Sequence, residues 1–208
     1  MAGLRAKQKA DKTRRILESA TTLFREQGYD SARIEDIAEM AEVSVGTLYN
    51  YYQNKGDILV ATVAMEVTEV LEAGTRIVAN PPLNVAEALR TLIEQYYDHS
   101  LFYLSKEMWR TAMAISIQQP ETPLSRRYTE LDAQLCAQVV QLVQTLQTRG
   151  VVHASIDVQV MGELFFNNLN MMFMEFCKVD AMPIEELKAR VNAQHEPIAA
   201  LISTVKIV

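Results

Sequence analysis

The chain is short of the residues from which catalytic and extracellular proteins build their sites. It has two cysteines, Cys136 and Cys177, too few and too far apart for a disulfide framework or a CxxC pair. Their surroundings, AQLCAQVV and MEFCKV, read as buried small hydrophobes, so reduced thiols and a cytoplasmic setting are expected. The three histidines, His99, His153 and His195, lie far apart, with no HExxH and no i, i+4 pair to hold a metal. GxSxG, P-loop and GxGxxG patterns are missing as well. Neither an enzyme nor a metal or cofactor is expected. No run of about eighteen apolar residues argues for a membrane span. The opening MAGLRAKQKADKTRR lacks the apolar core of a secretory signal. No segment alternates with period two, repeats itself or thins into a flexible linker.

What the chain does have is helical periodicity. With 208 residues, 49% hydrophobic and 22% charged, it is globular in composition and long enough for one large helical domain, or a small one continuous with a larger. Ile16, Leu17, Ala20, Leu23 and Phe24 recur at helical spacing and stop at Gly28, a helix-ending residue. A short helix follows, with Ile34, Ile37, Ala38 and Ala41 turned inward. The tight link Ala41-Glu42-Val43-Ser44 then leads into a third helix over Val45 to Tyr52, with Ser44 placed to cap it. Two short helices joined by so brief a turn make a helix-turn-helix.

Leu48 and Tyr52 share the inward face of that third helix. Val45, Gly46, Thr47, Tyr49, Asn50 and Tyr51 face outward. Small, hydroxylated, amide-bearing and aromatic side chains of this kind suit base edges and phosphates in a major groove. Lys55 opens the next helix, where its charge and the helix amino terminus are expected to hold a phosphate. The net charge of −6 argues mildly against nucleic acid, but Arg5, Lys7, Lys9, Lys12, Arg14 and Arg15 cluster at the amino terminus against the single acid Asp11. Alone, such a cluster reads equally as a solvated end; beside a helix-turn-helix it reads as a phosphate-following arm.

The run from Thr13 to Leu59 resembles the amino-terminal DNA-binding domain of TetR-type transcriptional regulators. The matching elements are Arg14, Ile16 and Leu17; Leu23 and Phe24; Gly28 and Tyr29; Ile37 and Ala38; Val43 and Ser44; Gly46 to Tyr49; and the Tyr-Tyr and Asn-Lys pairs ending at Lys55. Three positions depart from the family. Ala32 and Arg33 stand where a capping Thr or Ser is common, although the Arg33 guanidinium can reach a phosphate. Glu42 occupies a turn position that prefers Gly or Asn. Tyr52 replaces the usual Phe.

The rest of the chain divides into six further helices: Lys55 to about Ala79, Val85 to Leu101, Tyr103 to Gln118, Leu124 to Thr148, one starting after Ser155 or Asp157 and reaching Cys177 or Lys178, and a last one opened by Pro183 and running to the end with a kink at Pro197. The fold class expected is all-α, about nine helices, with a DNA-binding domain over 11–71 and a ligand-binding and dimerisation domain over 72–208. MGELFFNNLNMMFMEFC, from Met161 to Cys177, is apolar around most of its circumference and so has two buried sides. The resemblance implies that the last two helices pair with their copies in a homodimer, and that operator half-sites follow its two-fold axis.

For an effector, the ten methionines and the aromatic residues supply adaptable apolar surface. The candidate contacts are Tyr96, Phe102, Met108, Trp109, Met113, Tyr128, Phe165, Asn168 and Met172, with Phe102, Met108, Trp109 and Met113 as the first choice of pocket. Each of these large apolar residues reads as ordinary core more readily than as pocket lining. Asn167, Asn168 and Asn170 have three readings: partners across a dimer, solvent, or a bound molecule, with dimer or solvent preferred. No basic cluster calls for an anion, so a neutral or cationic, largely apolar effector is expected, with Glu107, Glu163 or Glu175 as possible counter-charges.

The function that the residues and the resemblance together imply is a homodimeric, effector-responsive repressor bound to a palindromic operator in double-stranded DNA. Val45, Gly46, Thr47 and Asn50 would read bases, while Arg33, Ser44, Thr47, Tyr49, Tyr51 and Lys55 hold phosphates. An effector would move the fourth helix as a lever and spread the two recognition helices. The alternatives are a regulator controlled by a protein partner or by nothing, and an interaction protein with a vestigial helix-turn-helix.

Overall fold

The computed structural model describes residues 2–204. Among the described residues there are nine α-helices: α1 (Ala2–Gln27), α2 (Ile34–Met40), α3 (Val45–Tyr49), α4 (Lys55–Ala79), α5 (Val85–Ser100), α6 (Lys106–Gln118), α7 (Pro123–Thr148), α8 (Val158–Lys178) and α9 (Ile184–Ile202). The only extended pairing among them is an isolated antiparallel bridge between Val152 and Ser203. The all-α class holds. No helix among the described residues is long and apolar enough to cross a membrane.

Short polar side chains set most helix starts. At α4, Asn54 Oδ1 accepts the Asp57 amide at 2.9 Å while Asp57 Oδ2 accepts the Gln53 amide at 2.8 Å, a reciprocal cap of two orphan donors. Asn84 caps α5, Ser105 caps α6, and Asp157, not Ser155, caps α8. Some boundaries differ from the sequence reading. α1 already starts at Ala2, so Lys7, Lys9 and Lys12 stand exposed on a helix. α6 starts at Lys106 rather than Tyr103, because the Ser105 hydroxyl accepts the Met108 amide. α3 closes at Tyr49, with Asn50 as its C-cap. α9 contains Pro197 and stops at Ile202, where the chain turns back to the loop after α7: the His153 amide donates to Ile202 and the Thr204 amide to Val151. Residues 205–208, over which the last helix was expected to continue, lie outside the described residues.

The chain divides into two compact units. The first takes the residues up to Met65 together with Tyr103–Tyr128. It buries Ile16, Leu17, Phe24, Ile37, Leu48 and Ile58, and from α6 Met108, Trp109 and Met113. That α6 belongs here was not legible in the sequence. The second unit takes Glu66–Phe102 and the chain from Thr129 onward. Here α5 and α8 both pack on α9. The Tyr97 hydroxyl donates to the Leu169 carbonyl at 2.9 Å, and its ring stacks on Phe173. Two glycines allow close approach. A Cβ on Gly162 would lie 2.6 Å from the Val140 Cα, and one on Gly74 would lie 2.1 Å from Gln138 Oε1. The Gln138 amide group is engaged at both ends: its Oε1 accepts the Tyr96 hydroxyl at 2.7 Å, and its Nε2 donates to the Leu71 carbonyl at 2.9 Å.

Candidate DNA-binding site

The recognition geometry begins at the loop between α1 and α2. Gly28 has φ of 84°, a left-handed conformation that suits glycine and lets α1 end. Lys55, the first residue of α4, reaches back to this loop and donates to the carbonyls of Tyr29 at 2.6 Å, Asp30 at 2.9 Å and Ala32 at 3.1 Å. An ammonium has three donors, and all three are engaged. The same Nζ sits 4.6 Å from the centre of the Tyr29 ring. The phosphate role expected for the Lys55 side chain therefore does not fit this geometry, and we assign the residue to tying α4 onto the loop.

Arg33 precedes α2 in an extended conformation and makes no side-chain cap, as its chemistry requires. Its guanidinium is exposed and lies 3.5 Å from Glu35. α2 ends in a Schellman turn: the Val43 amide bonds the Ala38 carbonyl at 2.9 Å and the Glu42 amide bonds that of Glu39 at 3.0 Å. This motif needs one residue with positive φ, and Glu42 supplies it at 53°, the only non-glycine residue to do so among the described residues. Its carboxylate pairs with Arg15 at 3.2 Å, which offsets the negative charge that the sequence brings to this surface.

Ser44 caps α3. Its Oγ accepts the Thr47 amide at 3.1 Å and lies 2.8 Å from the Thr47 hydroxyl, so these two residues set each other's orientation. Leu48, 0% exposed, anchors the helix from beneath. Gly46, Tyr49 and Asn50 are exposed, while Val45, Thr47 and Tyr51 are half-buried. A Cβ on Gly46 would meet nothing within 4 Å, so nothing in this chain demands a glycine there. Tyr51 lies against Tyr52, whose hydroxyl is pushed up to about 12 by burial and by that neighbour.

The nine effector candidates do not fall in one unit. Met108, Trp109, Met113 and Tyr128 belong to the first, where all four are buried. Tyr96, Phe102, Phe165, Asn168 and Met172 belong to the second. Phe165 is fully buried and meets the His195 ring edge-on at 4.9 Å. Asn168 donates to Gln194 at 2.6 Å, a partner inside the chain that the sequence reading had not named. Phe102 is 62% exposed and flanks His99 at an open groove of about 490 Å³ with Glu94, Gln95 and Asp98. Of the acids weighed as counter-charges, Glu175 pairs with Lys178, Glu163 accepts from Gln159, and Glu107 accepts from the Tyr29 amide. A cleft of about 730 Å³ in the first unit is lined by Tyr29, Tyr51, Asn54, Asp57, Ile115 and Gln119, among others. Its walls come from separated segments, so no local pattern could have announced it.

Residues 16–62 match the family model of bacterial regulatory proteins of the tetR family. The chain belongs to the TetR family. It is 33% identical over 86 residues to the transcriptional repressor KstR of Rhodococcus jostii, a match covering 41% of this chain and 39% of that protein. A longer match, 22% identical over 173 residues, links it to the fatty acid metabolism regulator protein of Bacillus subtilis and covers 79% and 82% of the two chains. Among solved structures, FadR of Thermus thermophilus in complex with lauroyl-CoA has a TM-score of 0.66 at 20% identity, covering 94% of this chain and 98% of that one. A transcriptional regulator from Saccharomonospora viridis in complex with choline has a TM-score of 0.69 at 20% identity, covering 90% and 96%. The chain spans about two fifths of the length of KstR, and what the matches share with it over residues 16–62 is the TetR-family DNA-binding domain.

Proposed function

We propose that this TetR-family regulator is a homodimeric repressor that leaves a palindromic operator when a small molecule binds. The observation that carries the DNA half is the surface of α3. Leu48 roots it, Tyr49 and Asn50 stand out from it, and the open space around Gly46 makes room for something outside the chain to approach the backbone. Val45, Gly46, Thr47 and Asn50 would meet base edges. Arg33, Ser44, Tyr49 and Tyr51 would meet phosphates, with the exposed Lys7, Lys9 and Lys12 of α1 adding long-range attraction. The division by role is DNA reading over 11–71, and effector binding with dimerisation over 72–208. For the dimer, Val160, Leu164 and Met171 share helical spacing and are exposed on α8, and Leu201 on α9 is 80% exposed. The protein would work in the cytoplasm, where its DNA is.

The effector we favour is neutral or cationic and largely apolar. The choline complex of a similar fold is compatible with that class, and the lauroyl-CoA complex marks acyl-CoA as the competitor to test. Selecting bound DNA from a random pool should return a palindrome. Its affinity should fall steeply with salt, and sizing should give two chains per site. A monomer on DNA, or binding without sequence preference, would sink the reading. Adding choline and lauroyl-CoA in turn to the complex then separates the effector classes by which one releases DNA.

A further inference from the structure

The loop that feeds α2 is held from two directions. Lys55 takes its carbonyls, at Tyr29, Asp30 and Ala32. From the other side Glu107, in the first turn of α6, accepts the Tyr29 amide on Oε1 at 3.3 Å, across 78 residues of sequence. Its carboxylate also lies over Gly28, 3.6 Å from where a Cβ would stand. An acid in a first helical turn is ordinarily there to complement the helix dipole. Glu107 does more, because its oxygen engages a backbone donor of a distant loop.

The residues around it make that contact consequential. Met108 and Trp109 follow directly and are 0% and 6% exposed, so the amino end of α6 cannot shift without moving core side chains. On the loop side, Tyr29 is braced by its ring contact with Phe24 at 5.1 Å, and Ala32 is buried at 2%. From Ala32 the chain passes through Arg33 into α2, then through the Schellman turn into α3. The two contacts also differ in strength. The Lys55 contact has three short bonds, whereas the Glu107 contact is a single exposed and longer one, the easier of the two to release.

We propose that Glu107 is a positioning residue that couples the state of α6 to the seat of the DNA-reading helices. The inference rests on the DNA-binding reading above and adds a route separate from a lever movement of α4. Coupling between sites is reciprocal, so DNA seated on α3 must be felt at α6 as surely as a change at α6 is felt by the DNA. Trp109, the only tryptophan in the chain, stands two residues from Glu107 and reports it.

The test uses the full-length chain and DNA selected from a random pool. Wild-type Trp109 emission should change saturably, in step with the bound fraction read from anisotropy of labelled DNA. Glu107→Ala should keep DNA affinity within about threefold but lose most of the emission change, whereas Glu107→Gln, whose amide oxygen can still accept, should restore it. Without DNA, hydrogen exchange at the Tyr29 amide should quicken about tenfold in Glu107→Ala, the scale of one lost hydrogen bond. DNA binding with no wild-type emission change, an undiminished change in Glu107→Ala, or unaltered Tyr29 exchange would each overturn the coupling while leaving the DNA-binding reading intact. Failure to recover any bound DNA would overturn both.

Discussion

The ammonium of Lys55 lies 2.6 Å from the carbonyl oxygen of Tyr29 and 4.6 Å from the centre of the same residue's ring. One lysine thus grips both the backbone and the side chain of one tyrosine. Lys55→Met should cost about 1–3 kcal/mol of stability, since it leaves three carbonyls without their charged donor. DNA affinity should weaken through the loosened loop. The slope of log affinity against log salt should not change, because no phosphate contact is lost. A slope reduced by about 0.9 would mean that the ammonium reaches a phosphate after all.

Glu42 sits at φ of 53° to complete the turn between α2 and α3. Glu42→Gly should stabilise the chain by about 0.5–1 kcal/mol, because a left-handed residue with a Cβ costs about 1–2 kcal/mol. The exposed Arg15–Glu42 pair that it removes is worth less than that. Thermal unfolding of the two proteins side by side measures the difference, and a lowered midpoint would show the ion pair to dominate.

Ser44→Ala removes the oxygen that caps α3 and orients Thr47. A loss of about 1 kcal/mol is expected from the cap alone. DNA affinity should drop by more than stability does, because the amino end of the reading helix frays. Ser44→Asp should recover the stability without the affinity, its negative charge being unwelcome near phosphate. Equal recovery of both would argue that Ser44 faces no phosphate.

Two groups in the second unit, both shifted by loss of solvent, give opposite pH dependence. Neither ring nitrogen of His195 has a hydrogen-bond partner among the described residues, and burial pushes it from 6.5 down to about 4. Between those values the unfolded chain binds a proton that the folded chain refuses, so stability falls as pH falls, by roughly 3 kcal/mol at most. Burial raises Asp132 from 3.8 to about 6 against the opposing hydrogen bond to Asn170, so stability falls as pH rises through that window, by a similar amount. The two nearly cancel between about pH 4 and 6. Asp132→Asn should make the chain gain stability with pH relative to wild type across that range, and His195→Phe should do the reverse. Urea midpoints at several pH values read both, and parallel profiles would refute the assignment.

Gly162→Ala should destabilise by about 1–3 kcal/mol, the range for forcing extra volume into a packed seam. The atom it would strike first is the Val140 Cα at 2.6 Å, so trimming the side chain with Val140→Ala should rescue only part of the loss. Full rescue in denaturant titrations would mean that α7 and α8 can part more easily than the geometry implies.

Much of this was legible in the sequence, for reasons that differ by element. The helices announced themselves because Ile16 to Phe24 and Ile34 to Ala41 keep helical spacing, and because Gly28 and Pro183 mark a helix end and a helix start. The strained turn at Glu42 was readable because a family pattern wants glycine there and the chain supplies glutamate. Lys55 misled because a lysine at a helix start carries the same signature whether it meets a phosphate or three carbonyls. Glu107 was read only as a solvated acid or a counter-charge for a cation, since its partner is a backbone amide 78 residues away. The membership of α6 was hidden for the same reason. Periodicity says that Met108, Trp109 and Met113 are buried, but not among which helices.

That membership bears on how the protein can be cut and recombined. A fragment ending at residue 71 would leave behind α6, with its buried methionines and tryptophan, and should expose apolar surface in solution. A chimera that exchanges reading heads between relatives would set a foreign loop against Glu107 unless it also carried Tyr103–Tyr128. In this chain the transferable part is two stretches of sequence, and evolution by simple swapping at the amino terminus would have had to preserve the fit between them.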